Sequence, residues 1–235
     1  MLTISPVWTM LGLDLLMIVY TLWVISAFKP AGRAVVIIGI VMLVWLAALH
    51  LGLSQQSLFP NDISGLAFLM IIVFSVGVVG ALLLLIPPLR HLLLNLDQRQ
   101  LQLLQGIRVF FGATFLMQAS LGVLPQTFGI VDGFTHIGAG FFGLIAAFSV
   151  AAGVQGERRA WFANIFGLAD ILVVASTLAL VLLPHLGPHH SMMYAVFLPA
   201  PLWVWFHLMS IWKLVRGARA RSTQPALNLP TGSFT

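Results

Sequence analysis

The sequence predicts an all-α protein: a seven-transmembrane helical bundle with its N-terminus outside and its C-terminus in the cytoplasm. Three observations lead there. First, 60% of the 235 residues are hydrophobic and 7% are charged, whereas a soluble domain carries about 25% charged residues. So few charges cannot solvate a globular surface. Second, the apolar residues gather into segments that match the roughly 20 residues needed to cross a bilayer core as a helix. Third, Lys and Arg fall in alternate connections only, as expected when every second connection faces the cytoplasm.

The segments are 7–27, 34–54, 65–88, 106–125, 134–153, 161–184 and 193–215. Backbone groups in lipid must be satisfied within the segment, which makes each one a helix. The connections are short and carry chain breakers: Lys29-Pro30-Ala31-Gly32-Arg33, Phe59-Pro60-Asn61-Asp62, Pro125-Gln126 and Gly187-Pro188. None is long enough to separate soluble domains, so residues 1–221 read as one transmembrane domain. Residues 222–235 (STQPALNLPTGSFT) are polar, contain two prolines and read as a flexible cytoplasmic tail. MLTISPVW has no Lys or Arg ahead of its apolar run, so the first segment is expected to stay in the mature protein.

Charge sets the orientation. Lys29 and Arg33 lie in the first connection, Arg90 and Arg99 in the third, Arg158 and Arg159 in the fifth, and Lys213, Arg216, Arg219 and Arg221 at the end. The second, fourth and sixth connections have no Lys or Arg. This distribution explains the net charge of +5 without a nucleic-acid partner. The absence of cysteine excludes disulfides, thiolate metal sites and a cysteine nucleophile. Residues 89–105, LRHLLLNLDQRQLQLLQ, form the one amphipathic stretch, expected to lie at the cytoplasmic interface or to extend the third or fourth helix.

Ionisable residues inside the apolar segments cost roughly 3 kcal/mol each on insertion scales, so each needs a reason. Counting at 1.5 Å per residue, Asp170 and His207 fall near mid-depth, Asp14 and Gln118 somewhat further out, and Arg108 and Asn164 near the inner edge. A long Arg108 side chain can reach Asp170, with His207 bridging them or carrying a proton. The plainer alternative is an ion pair that fixes helix register, or an Arg108 that snorkels to the headgroups. A second group lies toward the outer face: His50, Asp132, His136, His185, His189 and His190. Imidazole and carboxylate suit zinc or another divalent metal, and the i,i+4 spacing lets Asp132 and His136 share one ion with His50 beside them. Here the plainer alternative makes Asp132 a helix N-cap and His136 a hydrogen-bonding partner of a neighbouring helix. Gly138, Gly140 and Gly143 read as a close-packing face. Pro199 and Pro201 should kink the last helix and free carbonyls near mid-depth.

TFGIVDGFTHIGAG, WFANIFGLADILV and YAVFLPAPLWVWFH resemble a group of small uncharacterised bacterial multi-pass membrane proteins, over roughly residues 105–210. That resemblance implies that Arg108, Asn164, Asp170 and His207 belong to one shared site. The chain departs from the pattern at His136, where an acidic residue is expected, and at Phe162-Ala163 between Trp161 and Asn164. Microbial rhodopsins share the helix number but need a lysine within the last helix. The only lysine there is Lys213, at its cytoplasmic end, which speaks against retinal. Intramembrane zinc hydrolases also have seven helices with Asp and His residues, and this chain has scattered His and Asp.

The expectation is therefore a multi-pass protein of the bacterial inner membrane. It binds or transports a small molecule or lipid-like ligand through a polar site of Arg108, Asn164, Asp170 and His207, with Gln118 and Asp14 nearby and proton transfer as a component. A metal-dependent hydrolase at His50, Asp132 and His136 is the enzyme alternative. A non-catalytic subunit or scaffold, working with a partner or as an oligomer, is the third.

Overall fold

A computed structural model describes residues 5–28 and 32–222. Lys29-Pro30-Ala31 of the first connection, and the tail from residue 223 on, lie outside the described residues. All regular structure among the described residues is helical. The order is α1 (Pro6–Phe28), α2 (Gly32–Ser54), α3 (Gly65–Leu85), α4 (Pro87–Asn95), α5 (Gln98–Leu103), α6 (Arg108–Ser120), α7 (Gln126–Ser149), α8 (Val154–Thr177), α9 (Leu183–Leu186), α10 (Met193–Phe197) and α11 (Pro199–Ser222). Five described helical stretches are long and apolar enough to cross a membrane: Pro6–Ala27, Gly32–Ser54, Gly65–Leu85, Gln126–Ala152 and Val154–Leu186. The chain is a helical, multi-pass membrane protein. Large side chains such as Phe74, Phe148 and Leu172 point outward, as lipid-facing residues do.

Prolines and glycines set the element ends, and they shift several from where hydropathy alone put them. The segment expected at 65–88 stops at Leu85 because Pro87 and Pro88 cannot continue it. Ile86 turns extended, and the prolines open α4 instead. The amphipathic stretch divides at Asp97, whose side chain accepts from Gln100 N–H while Gln100 bonds back to the Asp97 N–H. Its second half, α5, does not lie on the surface. Gln100, Leu101, Gln102 and Leu103 are buried, and a tight turn leads on into α6. The segment expected at 193–215 is interrupted at Leu198, where Pro199 and Pro201 break the ladder. The Phe197 carbonyl beside that break accepts from the Trp45 indole at 2.8 Å.

The helix expected at 134–153 begins eight residues earlier, at Gln126, directly after Pro125. Asp132 is therefore inside the helix and does not cap it. Gly129 and Gly133, which precede the expected start, lie inside the helix and pack closely. A Cβ on Gly112 of α6 would lie 2.3 Å from the Gly133 carbonyl oxygen, and one on Gly133 would lie 2.6 Å from Leu116. Gly140 and Gly143 continue the face against Val109 and Gln105, while Gly138 faces Phe166 with ordinary clearance. These contacts bring α6 and α7 together backbone to backbone. α7 lies between α6 and α8, and α11 packs on α8, α5 and α3.

At one end of the bundle, hereafter the histidine end, His190 ties two connections together. Its Nδ1 accepts from the Met192 N–H at 3.2 Å, and its Nε2–H donates to the Val123 carbonyl at 3.3 Å. Burial holds the His190 pKa below its usual 6.5, with the Val123 carbonyl pulling more weakly upward. Protonating Nδ1 removes an acceptor that the backbone uses. A lowered native pKa makes the stabilisation complete above 6.5 and loses it as the pH falls through the native value. The thermal midpoint of detergent-purified protein should fall on acidification from about pH 6.5 down to that native value and level off below it. His190→Gln should lose that part of the fall.

The α6–α7 contact gives a second expectation. Gly112→Val should overpack it at a cost of about 1–3 kcal/mol, lowering the midpoint by roughly 2–10 °C in a chain of this size. Gly77→Ala, at an open position on α3, should not lower it.

Candidate functional site

Five helices contribute to one continuous buried polar chain, and each does so by its repeat. On α6, Arg108, Phe111, Phe115 and Gln118 share a stripe at spacings of three and four. On α7, Asp132 and His136 are one turn apart. On α8, Asn164, Gly167 and Asp170 recur every three residues. On α11, Trp203, His207 and Ser210 recur at four and three. α5 supplies Gln98 and Gln102, and the turn after it Gln105. Arg108, Asn164, Asp132 and His207 are each at most 1% exposed, and His136 and Asp170 at most 6%.

Arg108 is the hub. Its Nη2 donates to Asp170 Oδ2 in a direct ion pair. Its Nη1 donates to the Gly167 carbonyl at 3.3 Å and meets His207 Nε2 at 3.3 Å. A guanidinium can only donate, so His207 Nε2 accepts and its proton sits on Nδ1. That N–H points at Asn164 Oδ1, 2.9 Å away. Asn164 Oδ1 also accepts from Gln102 at 3.1 Å, and Asn164 Nδ2 lies 2.6 Å from Ser210 Oγ. Gln98 and Gln102 converge on the same Ser210 oxygen at 2.5 and 2.9 Å. His207 is thereby held as a neutral relay between a cation and an amide cluster.

On the other side of Arg108 stand two carboxylates and one imidazole. His136 Nδ1 lies 2.8 Å from Asp132 Oδ1 and 3.1 Å from Asp170 Oδ2. These are charge contacts rather than aligned hydrogen bonds. Both Asp132 oxygens, Asp170 Oδ1, His136 Nδ1 and Arg108 Nε make no hydrogen bond among the described residues. Aromatic rings wall the cluster. Trp203 lies 5.2 Å from the Arg108 guanidinium carbon and 5.9 Å from the His136 ring, Phe115 lies 5.3 Å from the His136 ring, and Phe111 meets Trp203 edge-on at 5.0 Å. The cluster is closed off from the surface, so charge here is weakly screened.

Formal charges make the chemistry explicit. Asp132 and Asp170 give two negatives and Arg108 one positive, while His207 is held neutral. With His136 neutral the cluster carries one net negative charge in a dry interior, which is costly. One added proton, shared among His136 and the two carboxylates, brings it to zero. A divalent ion would bring it to one net positive. Asp132, His136 and Asp170 each offer a ligand atom, all within 4.8 Å of one another. One of the three, Asp170 Oδ2, already serves Arg108.

The sequence-derived residues thus divide in two. Arg108, Asn164, Asp170 and His207 come together as one cluster, joined by Asp132 and His136 from the group expected at the outer face. His50 does not join them. Its Nδ1 lies 2.7 Å from the Tyr194 hydroxyl, while His189 accepts from the Phe59 N–H at 3.3 Å. Asp14 is fully buried, with neither oxygen hydrogen-bonded among the described residues, and lies close enough to Tyr194 to act on it electrostatically. Gln118 shares the Arg108 stripe, but its amide makes no hydrogen bond among the described residues. Arg108 does not snorkel: it is fully buried. The glutamines of α5, Ser210 and Trp203 escaped the sequence reading. The one sequence signal for the glutamines was their density in QRQLQLLQ, four in eight residues.

The Arg108–Asp170 pair yields a thermodynamic expectation. Arg108→Met leaves two buried carboxylates against one imidazole and should cost about 3–5 kcal/mol. Adding Asp170→Leu to that variant should restore much of the loss, because the remaining Asp132 and His136 can pair. Thermal unfolding in detergent checks it; a double variant no more stable than the single one contradicts it.

Residues 64–215 match the family described as Domain of unknown function (DUF8737). The matched segment runs from the start of α3 into α11 and contains every residue from Gln98 to Ser210 in the polar chain. Asp14 and His50 fall outside it. No curated protein and no solved structure matches the chain. The match covers more than half of its length, so the chain belongs to the DUF8737 family.

Proposed function

We propose that this member of the DUF8737 family is a proton-linked membrane protein that binds or moves a small molecule or lipid-like ligand. Its proton is held by Asp132, His136, Asp170 and Arg108. The observation that carries this reading is the one-charge deficit of a fully enclosed cluster. A buried site one proton short of neutrality changes its field and its hydrogen bonds when that proton arrives, and an attached relay passes the change along. The relay is His207, Asn164 and Ser210, which leads from the cluster toward the basic end of the bundle, where Gln98 and Arg99 lie. Asp170 and His207 stand on α8 and α11, so both helices respond to the proton. The family-matched segment supports the reading, because it contains the cluster and the relay whole.

The proposed membrane arrangement has seven crossings. α5 joined to α6 makes the fourth, and α10 joined to α11 makes the seventh. Arg33, Arg90, Arg99, Arg158, Arg159 and Arg216 then lie on one side, which the positive-inside rule makes the cytoplasm. The N-terminus is outside, the C-terminus is inside, and the membrane is the bacterial inner membrane.

A second reading rests on the three converging ligand atoms of Asp132, His136 and Asp170. It is a metal-bound hydrolytic centre, with zinc or another divalent ion activating a water. It replaces the His50-containing trio, since His50 is engaged with Tyr194. The charge count and the prior claim of Arg108 on Asp170 weigh against it.

Infrared titration of protein in nanodiscs between about pH 5 and 8 separates these readings, that being the range in which an imidazole changes charge. The wild type should take up one proton with coupled imidazole and carboxyl signals. Asp132→Asn makes the cluster neutral without that proton and should abolish the event, whereas His136→Gln keeps the deficit and should lose the imidazole signal, leaving the proton to the carboxylates. Unchanged uptake in both variants would make the cluster a structural tie, as in a subunit or scaffold. Stoichiometric metal in wild-type protein, lost in His136→Gln, would favour the hydrolase.

A further inference from the structure

α2 packs on α1, and α3 packs on α11. The two helices diverge and leave a groove of about 410 Å³ between them. Met42 and Trp45 of α2 and Val78 and Leu82 of α3 form its sides, and Phe197 and Phe206 its back. Leu58 and Phe59 close the histidine end; Leu89 and Leu93 of α4 floor the other. No polar group in the wall is left wanting. The Trp45 indole donates to Phe197 O, and the Ser75 hydroxyl donates to Ile72 O. The Thr21 hydroxyl donates to Met17 Sδ at 3.7 Å. An occupant therefore meets hydrocarbon only.

Shape narrows the occupant. The lining runs from Ile38 to Leu49 on α2 and from Ile71 to Leu83 on α3. At 1.5 Å per residue that is about 17 Å of length, close to half of a bilayer core about 30 Å thick. One extended methylene chain, whose neighbours approach to about 4 Å, can lie along a slot of this length and volume.

Charge sets the other end of the occupant. The floor helix α4 carries exposed Arg90 and His91 among its leucines, and exposed Arg33 opens α2 at the same end. Lys213 also reaches α4, donating to Leu94 O at 2.8 Å. The acidic residue nearby, Asp97, is engaged in its capping box. We propose that the groove is a binding site for one acyl chain of an anionic phospholipid, with the headgroup phosphate at Arg90 and Arg33.

The site is separate from the proton cluster, so each can fail without the other. The test places the protein in phosphatidylcholine nanodiscs and adds brominated phosphatidylglycerol or brominated phosphatidylcholine as a quencher of Trp45. The anionic lipid should bind more tightly, by about fivefold for each of the two basic residues at its headgroup. Arg90→Gln and Arg33→Gln together should remove the preference while quenching persists. Ser75→Phe fills the groove and should remove the saturable quenching, and Val41→Phe, on the opposite wall, serves as a second filler. Quenching that is identical in wild type and both fillers overturns the proposal, as does equal affinity for the two lipids. A second copy of the chain in the groove would appear as an oligomer that the fillers dissociate while quenching is unaltered, and that result too overturns it.

Discussion

The ion pair between Arg108 and Asp170 is the constraint around which the rest of the bundle is arranged. A guanidinium in a membrane interior is tolerable only if most of its donors are met and a carboxylate lies against it. α8 meets that need twice, with Asp170 and with the carbonyl of Gly167. Gly167 must be glycine for this: a Cβ there would lie 2.3 Å from His207 Nε2 and 3.1 Å from Arg108 Nη1. His207 accepts from the same guanidinium, which fixes its tautomer and so the direction of the amide relay beyond it. Trp203 covers the cation. α6, α8 and α11 are therefore joined at one side chain, and the glycine-lined α6–α7 contact brings Asp132 and His136 within its reach.

Much of this was legible in the sequence, for a physical reason. Charges are so costly in apolar segments that Arg108, Asp170, His207 and Asn164 stand out as residues needing partners, and their partners turn out to be one another. Asp132 and His136 were legible as a pair but not as members of that cluster. The expected start at residue 134 put Asp132 on a helix end, whereas the helix begins at Gln126 and takes in Gly129 and Gly133. In the fold the same glycines let two backbones touch. Sequence alone cannot distinguish a glycine that bends the chain from one that admits a neighbour. The glutamines of α5 were misplaced for a related reason. A stretch of Leu with Gln, Asn and Arg looks interfacial, yet amide side chains can also be buried when others meet their hydrogen bonds, as Gln100 does with the Val24 and Ile25 carbonyls.

The cost of the helix break at Leu198 is offset in a similar way. Pro199 and Pro201 remove two donors from the ladder, and the neighbouring Phe197 carbonyl is met by Trp45 from α2. The break thus joins α11 to a helix that otherwise packs on α1. It also sets the start of α11, and with it the angular positions of everything after. Leu202 and Phe206 turn toward the apolar groove. Trp203, His207 and Ser210 turn toward the polar chain.

That division makes α11 a wall common to two very different spaces. On one side it meets hydrocarbon, which exerts no directional demand and tolerates small shifts. On the other it meets a hydrogen-bonded series in which His207 must accept from Arg108 and donate to Asn164 at once. A change of charge at His136 alters the field on Asp170 and Arg108 directly, and His207 is the next group in line. The only ways for His207 to respond are to move with its helix or to exchange its bonds. Because the start of α11 lies at a proline break, rotation of that helix disturbs fewer backbone hydrogen bonds than it would in an unbroken one. Whatever occupies the groove rests against the same helix, although no polar group links the two spaces.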